Sequence, residues 1–265
     1  MKEEILQHLS AEYPWKDQFH FYPALDSTHD RLKAMARQGA PHGTVVMAGS
    51  QTGGHGRMGR TFHSPEGMGI YMNILLRPRC TPMELMHLTC ATGVAMCDAV
   101  EASAGFRPGI KWTNDLVFEK RKLGGILTEL GITPKGELSY ALIGIGINCC
   151  QQQEDFAPDI RNIAGSLSMV TGREIDRNKV AAAMMEALYQ MEAHLLTDKA
   201  VILEQYRTDC ITVGQEISIL RGDSVRHGTA LSVDDEGALV VRYTDGSVES
   251  VNSGEVSIRG MYGYL

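Results

Sequence analysis

The stretch Lys111-Trp-Thr-Asn-Asp-Leu-Val-Phe-Glu-Lys-Arg-Lys-Leu-Gly-Gly-Ile-Leu-Thr-Glu-Leu130 places short apolar runs on both sides of a basic turn. Apolar runs separated by such a turn are typical of paired strands. We therefore predict strands at 110–112, 115–118 and 125–130, with 120–122 as the turn.

The same stretch carries an Asn-Asp pair close to several cations. Asn114 and Asp115 follow Lys111 and precede the basic turn at 120–122. Amide and carboxylate oxygens near cations suit a magnesium ion and the polyphosphate that it carries. A charge run is more often only a solvated hairpin tip, so this stretch alone leaves both interpretations open.

On either side of this stretch, strand and helix patterns alternate along the chain. Short apolar runs predict strands near 20–23 and at 45–48, 70–76 and 140–147. Helical spacing of apolar residues predicts helices within 1–20 and at 28–37, 82–102 and 177–196. The first part of the chain therefore contains both predicted helices and predicted strands.

The character of the sequence changes near residue 210. Short alternating runs separated by glycine-containing turns replace the helical pattern, at 217–220, 230–233, 238–243 and 248–251. Such runs imply a small β-barrel or sandwich. We predict two domains, 1–212 and 213–265.

Composition and charge exclude several classes of protein. The 265 residues are 43% hydrophobic and 22% charged, which argues against extensive disorder, and the net charge of −7 argues against a broad nucleic-acid-binding face. The six cysteines form no C-x-x-C pair and fit buried thiols in a reducing compartment. The chain shows no signal peptide and no membrane-spanning apolar run, so we expect a cytoplasmic protein.

A glycine-rich segment is the second candidate site. Gln51-Thr-Gly-Gly-His-Gly-Arg-Met-Gly-Arg60 combines glycines, whose N–H groups can cradle phosphate, with two arginine forks suited to phosphate or carboxylate. The spacing matches neither a Walker A loop nor a dinucleotide fingerprint. On composition alone a flexible surface loop explains the segment equally well.

A third segment, Ile143-Gly-Ile-Gly-Ile-Asn148, places two glycines in an apolar strand. Glycine in a strand lets another group lie against the backbone, and Asn148 could bond the polar edge of a ligand. Taken alone, the pattern is explained better by a tightly packed sheet crossing.

Together these segments resemble the biotin–protein ligase family, from about residue 20 to the C-terminus. The family signatures are a G-R-G-R-x-G-R loop followed by an aromatic, S-P, a glycine pair and Tyr; K-W-P-N-D with a basic turn and G-I-L-x-E; G-x-G-I-N; and an earlier D-S-T-N. In this chain the loop signature corresponds to 54–60, followed by Phe62, Ser64-Pro65, Gly67, Gly69 and Tyr71. The second signature corresponds to 111–115, Lys122 and 125–129. The third corresponds to 144–148, and the earlier element corresponds to 26–29.

Three residues depart from the family pattern. His55 stands where the family usually has Arg, Thr113 replaces Pro, and His29 replaces Asn on a segment that touches biotin in the family. These departures bear on affinity and pH dependence more than on the type of reaction.

The resemblance implies a fold and a two-step reaction. The implied fold is α+β, with a mixed sheet and flanking helices like those of class II aminoacyl-tRNA synthetases, followed by a small C-terminal β-barrel of the Src-homology-3 type. Biotin and ATP form biotinyl-5′-AMP and pyrophosphate, and a lysine of a biotin carboxyl carrier protein then takes the biotin and releases AMP.

The resemblance also implies a set of site residues. The expected catalytic residues are Arg57, Lys111 and Lys122. Biotin is expected to contact Ser27, Thr28, His29, Gln51, His55, Gly56, Arg57, Lys122, Gly125, Leu127 and Gly144. ATP is expected to contact Arg57, Arg60, Phe62, Lys111 and Asn148, and Mg²⁺ is expected at Asn114 and Asp115.

The expected partner is the carrier protein, with homodimerisation possible and no membrane or nucleic-acid partner. Because the first family motif begins at Asp26, the resemblance implies a ligase without an N-terminal helix-turn-helix repressor domain. The nearest alternative is a lipoate or octanoate ligase or transferase of the same fold, which typically carries an R-R-x-x-G-G-G loop. A non-catalytic biotin or adenylate sensor is the alternative from another class.

Overall fold

A computed structural model of the chain describes residues 1–252 and 257–260. Residues 253–256 and 261–265 of the predicted C-terminal domain lie outside the described residues. No helix in the described part is both long and apolar enough to cross a bilayer.

A seven-stranded mixed sheet forms the centre of the larger unit. Its strands in chain order are β1 (Phe19–Tyr22), β2 (Thr44–Ala48), β3 (Gly69–Leu76), β4 (Gly109–Lys111), β5 (Asp115–Phe118), β6 (Arg121–Ile132) and β7 (Leu138–Asn148). The order across the sheet is β1-β2-β3-β7-β6-β5-β4. β1 and β2 are parallel, and the other neighbours are antiparallel.

Helices cover both faces of this sheet. They are α1 (Lys2–His8), α2 (Thr28–Arg37), α3 (Leu88–Ala104), α4 (Leu167–Thr171), α5 (Arg177–His194) and α6 (Lys199–Asp209). Side chains of a strand alternate between faces, and Ile74 of β3 belongs to the main core, whereas Leu75 belongs to a smaller cluster with Leu32 and Ala36 of α2. Both faces are buried along β2 and β3 and along most of β7, and these strands carry continuous apolar runs.

A five-stranded antiparallel sheet follows. It contains β8 (Glu216–Arg221), β9 (Ser224–Val233), β10 (Leu239–Tyr243), β11 (Val248–Val251) and β12 (Ser257–Gly260), in the order β11-β10-β9-β8-β12. Buried residues such as Ile217 and Leu239 join the main hydrophobic core. The four strands that the alternating runs predicted are confirmed.

The structure corrects several sequence predictions. The single helix expected at 82–102 is a 3-10 turn, Pro82–Leu85, followed by α3. The basic turn is shorter than predicted, because only Glu119 and Lys120 turn, with φ of 46° and 66°, and the two following cations already belong to β6. α4, α6 and β12 were not predicted from the sequence. Cys80 and Cys150 are only partly buried, whereas the other four cysteines are buried.

Candidate active site

A cavity of about 350 Å³ lies between the glycine-rich loop and the central sheet. Every residue of the predicted site lines it: Ser27, Thr28, His29, Gln51, His55, Gly56, Arg57, Arg60, Phe62, Lys111, Asn114, Asp115, Lys122, Gly125, Leu127, Gly144 and Asn148. The fold therefore brings together residues from four separate sequence motifs. Their individual roles remain predictions.

One side of the cavity gathers cations around an Asn-Asp pair. Arg57 Nη1 donates to Asn114 Oδ1 at 3.1 Å, and Lys122 Nζ pairs with Asp115 Oδ1 at 2.6 Å. Burial lowers the pKa of Arg57, while Asp115 opposes this shift. Lys111, at the end of β4, is only 5% exposed. This side can therefore hold an anionic ligand such as a phosphate or carboxylate.

The glycine-rich loop folds back on itself above these cations. His55 and Thr61 form an antiparallel bridge, and the Gly56 N–H donates to the Arg60 carbonyl at 2.7 Å. A 3-10 turn, Arg57–Gly59, forms the tip. This hairpin directs Arg57 towards Asn114 of the next motif.

The two glycines of β7 admit side chains from neighbouring segments. A Cβ on Gly144 would lie 2.7 Å from Asn73 Oδ1, and a Cβ on Gly146 would lie 2.5 Å from a ring atom of Phe62. What lies against this strand is thus a polar side chain of β3 and an aromatic ring of the loop. The glycines shape the cavity by letting both side chains approach the sheet.

The other end of the cavity is lined by neutral polar groups. Gln51 Oε1 accepts from the backbone N–H and the hydroxyl of Thr28, both at 2.8 Å. Asn73 Nδ2 donates to Thr28 Oγ1 at 2.8 Å, and its Oδ1 lies 3.0 Å from Nδ1 of His29. A neutral ligand with both donors and acceptors suits such an end.

Several residues that line the cavity were not predicted from the sequence. Asn73 is a lone polar residue in an otherwise apolar strand, which is a signal that could have been used. Trp112 belongs to a recognised motif but was given no role. The apolar wall formed by Phe156, Ile160, Ile163 and Ala164 belongs to a loop in which no motif was recognised.

Asn148 is engaged within the chain itself. Its Nδ2 donates to the Gly165 carbonyl at 3.0 Å, and its Oδ1 accepts from Gln151 Nε2 at 3.2 Å. These bonds hold the end of β7 against the segment that carries the apolar wall. Contact of Asn148 with a nucleotide remains a prediction.

The chemistry of the expected metal site allows only partial coordination by the protein. Within the described residues, no three His, Cys, Asp or Glu side chains gather as they would around a metal. Asn114 and Asp115 offer two oxygen-bearing side chains, each close to a cation. Magnesium commonly binds one or two protein groups and takes its other ligands from phosphate and water, so the pair fits an ion that arrives with a polyphosphate.

The fold and the cavity define an α+β protein that can place an anionic group beside a neutral, polar ligand. Residues 21–148 match the Biotin/lipoate A/B protein ligase family, and residues 212–259 match the biotin protein ligase C terminal domain. The two matches follow the order of the two sheets along the chain.

Individual relatives agree with these matches. The bifunctional ligase/repressor BirA of Bacillus subtilis (strain 168) is 34% identical over 242 residues, which are 90% of this chain and 73% of that protein. The biotin--[acetyl-CoA-carboxylase] ligase of Mycobacterium tuberculosis is 28% identical over 256 residues, 94% of this chain and 92% of that protein. The chain belongs to the biotin protein ligase family.

A solved structure supports the same conclusion at the level of the fold. The biotin protein ligase from Aquifex aeolicus, in complex with biotin and ATP, superposes with a TM-score of 0.77 at 26% identity. The match covers 91% of this chain and 98% of the Aquifex chain.

Proposed function

We propose that this protein is an ATP-dependent ligase that converts biotin to biotinyl-5′-AMP and transfers it to a lysine of a biotin carboxyl carrier protein. The observation that carries the proposal is the arrangement of one cavity, in which Arg57, Lys111 and Lys122 lie on one side and the Thr28–Gln51 polar end on the other. The family membership supports the same reaction.

The reaction needs such a cationic side because two anions must meet. The carboxylate of biotin attacks the α-phosphate of ATP, so Arg57 and Lys122 are proposed to offset the repulsion between them. Lys111 is proposed to stabilise charge on the phosphate as pyrophosphate leaves, and again when AMP leaves. The loop hairpin above the cavity is proposed to keep water away from the mixed anhydride.

The remaining site residues fit the two substrates in the same arrangement. Ser27, Thr28 and Gln51 suit the neutral ureido ring, which has donors and acceptors. Gly125 and Leu127 of β6 form part of the wall for the valeryl chain. Phe62 suits the adenine ring, and Arg60 lies where it can reach ATP phosphate oxygens. Mg²⁺ is proposed to sit at Asn114 and Asp115, where it would neutralise the polyphosphate.

We also propose the fold types to which the two domains belong. Residues 1–212 are proposed to be a catalytic domain of the class II synthetase type, and the described part of the second domain, predicted at 213–265, is proposed to be a barrel of the Src-homology-3 type. The mixed sheet with flanking helices and the short antiparallel strands support these assignments. The six free thiols support the proposed cytoplasmic location. Homodimerisation remains a proposal that sedimentation measurements can test.

The central experiment is a transfer assay with the purified full chain. With biotin, ATP and Mg²⁺ we expect pyrophosphate release, followed by a mass increase on a carrier domain that is lost when its acceptor lysine is replaced. Lipoate and octanoate serve as competing substrates. Activity with those acids alone, or biotin binding without any transfer, contradicts the proposal.

A further inference from the structure

The ring of His29 lies at the Thr28–Gln51 end of the cavity, and each of its two nitrogens has a hydrogen-bond partner. Nδ1 lies 3.0 Å from Asn73 Oδ1, and Nε2 lies 3.1 Å from Glu129 Oε2. The residue is only 5% exposed. A neutral imidazole can donate from one nitrogen only, so the nature of both partners decides the charge of the ring.

The backbone N–H of Thr28 sets the direction of the hydrogen bonds that lead to His29. The Thr28 N–H can only donate, so Gln51 must present its carbonyl oxygen, 2.8 Å away. The Thr28 hydroxyl contacts the same oxygen at 2.8 Å and must donate to it as well. The amide nitrogen of Gln51 then faces Ser64 Oγ at 3.0 Å, as this orientation requires.

The same direction continues to the histidine. Since the Thr28 hydroxyl has given its hydrogen to Gln51, its oxygen accepts from the neighbouring amide, and Asn73 must present Nδ2 to it at 2.8 Å. Asn73 therefore turns Oδ1 towards His29. An amide oxygen only accepts, so Nδ1 of His29 must carry a hydrogen.

The second nitrogen also faces an acceptor. Burial raises the pKa of Glu129, but hydrogen bonds from Lys33, 2.6 Å away, and from His29 outweigh burial and lower it. Glu129 is therefore a carboxylate and accepts from Nε2. The remaining ionisable groups around the ring are His55, whose ring centroid is 5.6 Å away, and Asp30, whose carboxylate lies 3.5 Å from His55.

We propose that His29 is an imidazolium that donates from both nitrogens and so fixes the hydrogen-bond direction at the Thr28–Gln51 end of the cavity, and that biotin binding weakens when this ring loses a proton. His29 is thus a positioning residue that acts through Asn73 and Thr28. The inference rests on the proposed function, because it takes biotin as the ligand of this end.

The direction in which pH changes biotin binding follows from the contacts of the two His29 nitrogens. When the ring loses a proton, one of its nitrogens carries a lone pair that faces either the Glu129 carboxylate or the Asn73 oxygen. The second case favours rotation of the Asn73 amide, which reverses the hydrogen bond offered to Thr28. Biotin is therefore bound more tightly while the ring keeps its second proton, and more weakly once a rise in pH has removed it.

The test is the pH profile of the biotin KM, measured separately from kcat. In the parent protein we expect the biotin KM to rise about tenfold between the protonated and the neutral ring, comparable to losing one hydrogen bond to a charged group, with little change in kcat. His29→Asn, which restores the residue usual in the family, is expected to flatten the profile. Glu129→Gln, which replaces the carboxylate with a neutral amide, is expected to flatten it too.

His194→Asn is the matched control, because His194 is exposed at the end of α5 and pairs with Asp198 away from the cavity. It is expected to keep the parent profile. A profile that persists unchanged in both His29→Asn and Glu129→Gln overturns the inference.

Nitrogen NMR of the His29 ring provides a readout that does not depend on activity. We expect an imidazolium at low pH, where the biotin KM is smallest, and a neutral ring there overturns the inference. If the parent forms no biotinyl-5′-AMP at any pH, the proposed function fails, whereas the NMR measurement still decides the charge of His29.

Discussion

Lys111 is a charged residue that is almost completely buried at the end of β4, where it is 5% exposed. A buried ammonium costs several kcal/mol unless neighbouring charges or dipoles compensate. We expect Lys111→Met to lower kcat for biotinyl-5′-AMP formation by about 10²–10³-fold, the usual effect of losing one transition-state donor. The Kd for biotin should change little, because the positive charge acts mainly at the phosphate.

Single-turnover kinetics and biotin titration check this prediction. Lys179→Met is a suitable control, since Lys179 lies exposed on α5, and it should behave like the parent. An unchanged kcat in Lys111→Met would remove this residue from the mechanism.

Gly146 leaves room for the ring of Phe62, which we propose to contact adenine. A Cβ there would lie 2.5 Å from Phe62, which also packs edge-on against Tyr71. Phe62 is half-buried and can move aside, so we expect Gly146→Ala to cost only about 1 kcal/mol of unfolding free energy. The KM for ATP should rise because the ring is displaced.

Urea unfolding and ATP-dependent kinetics measure these two effects. In the double variant Gly146→Ala/Phe62→Ala the clash is absent, so adding the alanine at 146 should no longer affect stability. If Gly146→Ala costs as much without the ring as with it, the cause lies in the backbone of β7 and not in the clash.

At the level of elements, the central strands could be predicted because both faces of the sheet are buried. The runs at 70–76 and 140–147 correspond to β3 and β7 within two residues at each end. The helix at 177–196 likewise corresponds to α5, whose buried residues recur at helical spacing. Local patterns suffice where burial is extensive.

Other elements depend on contacts that the local sequence does not reveal. The break before α3 lies at His87, whose Nε2 contacts the Leu195 carbonyl at 2.9 Å, and the preceding turn is closed by reciprocal bonds between Thr81 and Glu84. α6 was missed because only Leu203 and two polar or partly polar residues of it are buried.

The site shows the same division between local and distant information. The motifs identified a set of residues that all line one cavity. Asn73 and Glu129 were not assigned roles, because their importance arises from hydrogen bonds to residues 44 and 100 positions away in the chain. His29 and Glu129 both belong to family motifs, but motifs so far apart in the chain do not show that the two side chains are in contact.

Arg107 joins α3 to α6 through a buried carboxylate. It forms two hydrogen bonds to Asp209, at 2.8 and 2.7 Å, and also contacts Asp98 and Glu101. The side chain of Asp209 is 6% exposed. We expect Arg107→Ala to cost about 3–5 kcal/mol of unfolding free energy, because it leaves a buried carboxylate without its partner.

Denaturant unfolding checks this value against an exposed ion pair. Lys199→Ala breaks the contact with Glu236, whose side chain is 53% exposed, and should cost less than about 1 kcal/mol. Equal losses in the two variants would mean that burial of Asp209 contributes nothing.

At the scale of the whole molecule, the C-terminal sheet contacts the motif that carries Lys111. The turn between β9 and β10 presents the Gly237 carbonyl, which accepts from Trp112 Nε1 at 3.0 Å. Thr212 Oγ1 accepts from the Trp112 N–H at 2.8 Å, and Tyr206 donates to the Thr113 carbonyl at 3.1 Å. The segment that carries Lys111 is therefore held by hydrogen bonds from α6, from the connection at Thr212 and from the second sheet.

This arrangement predicts that a change in the second sheet alters catalysis. Gly237 has a φ of +82°, and a Cβ there would lie 2.9 Å from Cys90 Sγ on α3. We expect Gly237→Ala to shift the turn away from Trp112 and to lower kcat about tenfold, since a displacement of roughly 1 Å can cost up to ~10²-fold.

Gly246→Ala is the matched control, because Gly246 has a φ of +85° in the next turn with no neighbouring atom within 4 Å. Both variants carry the left-handed strain, which costs roughly 1–2 kcal/mol, but only Gly237→Ala meets the sulfur. Adding Cys90→Ala to Gly237→Ala should recover most of the lost kcat, and equal kcat values for Gly237→Ala and Gly246→Ala would show that the second sheet does not position Lys111.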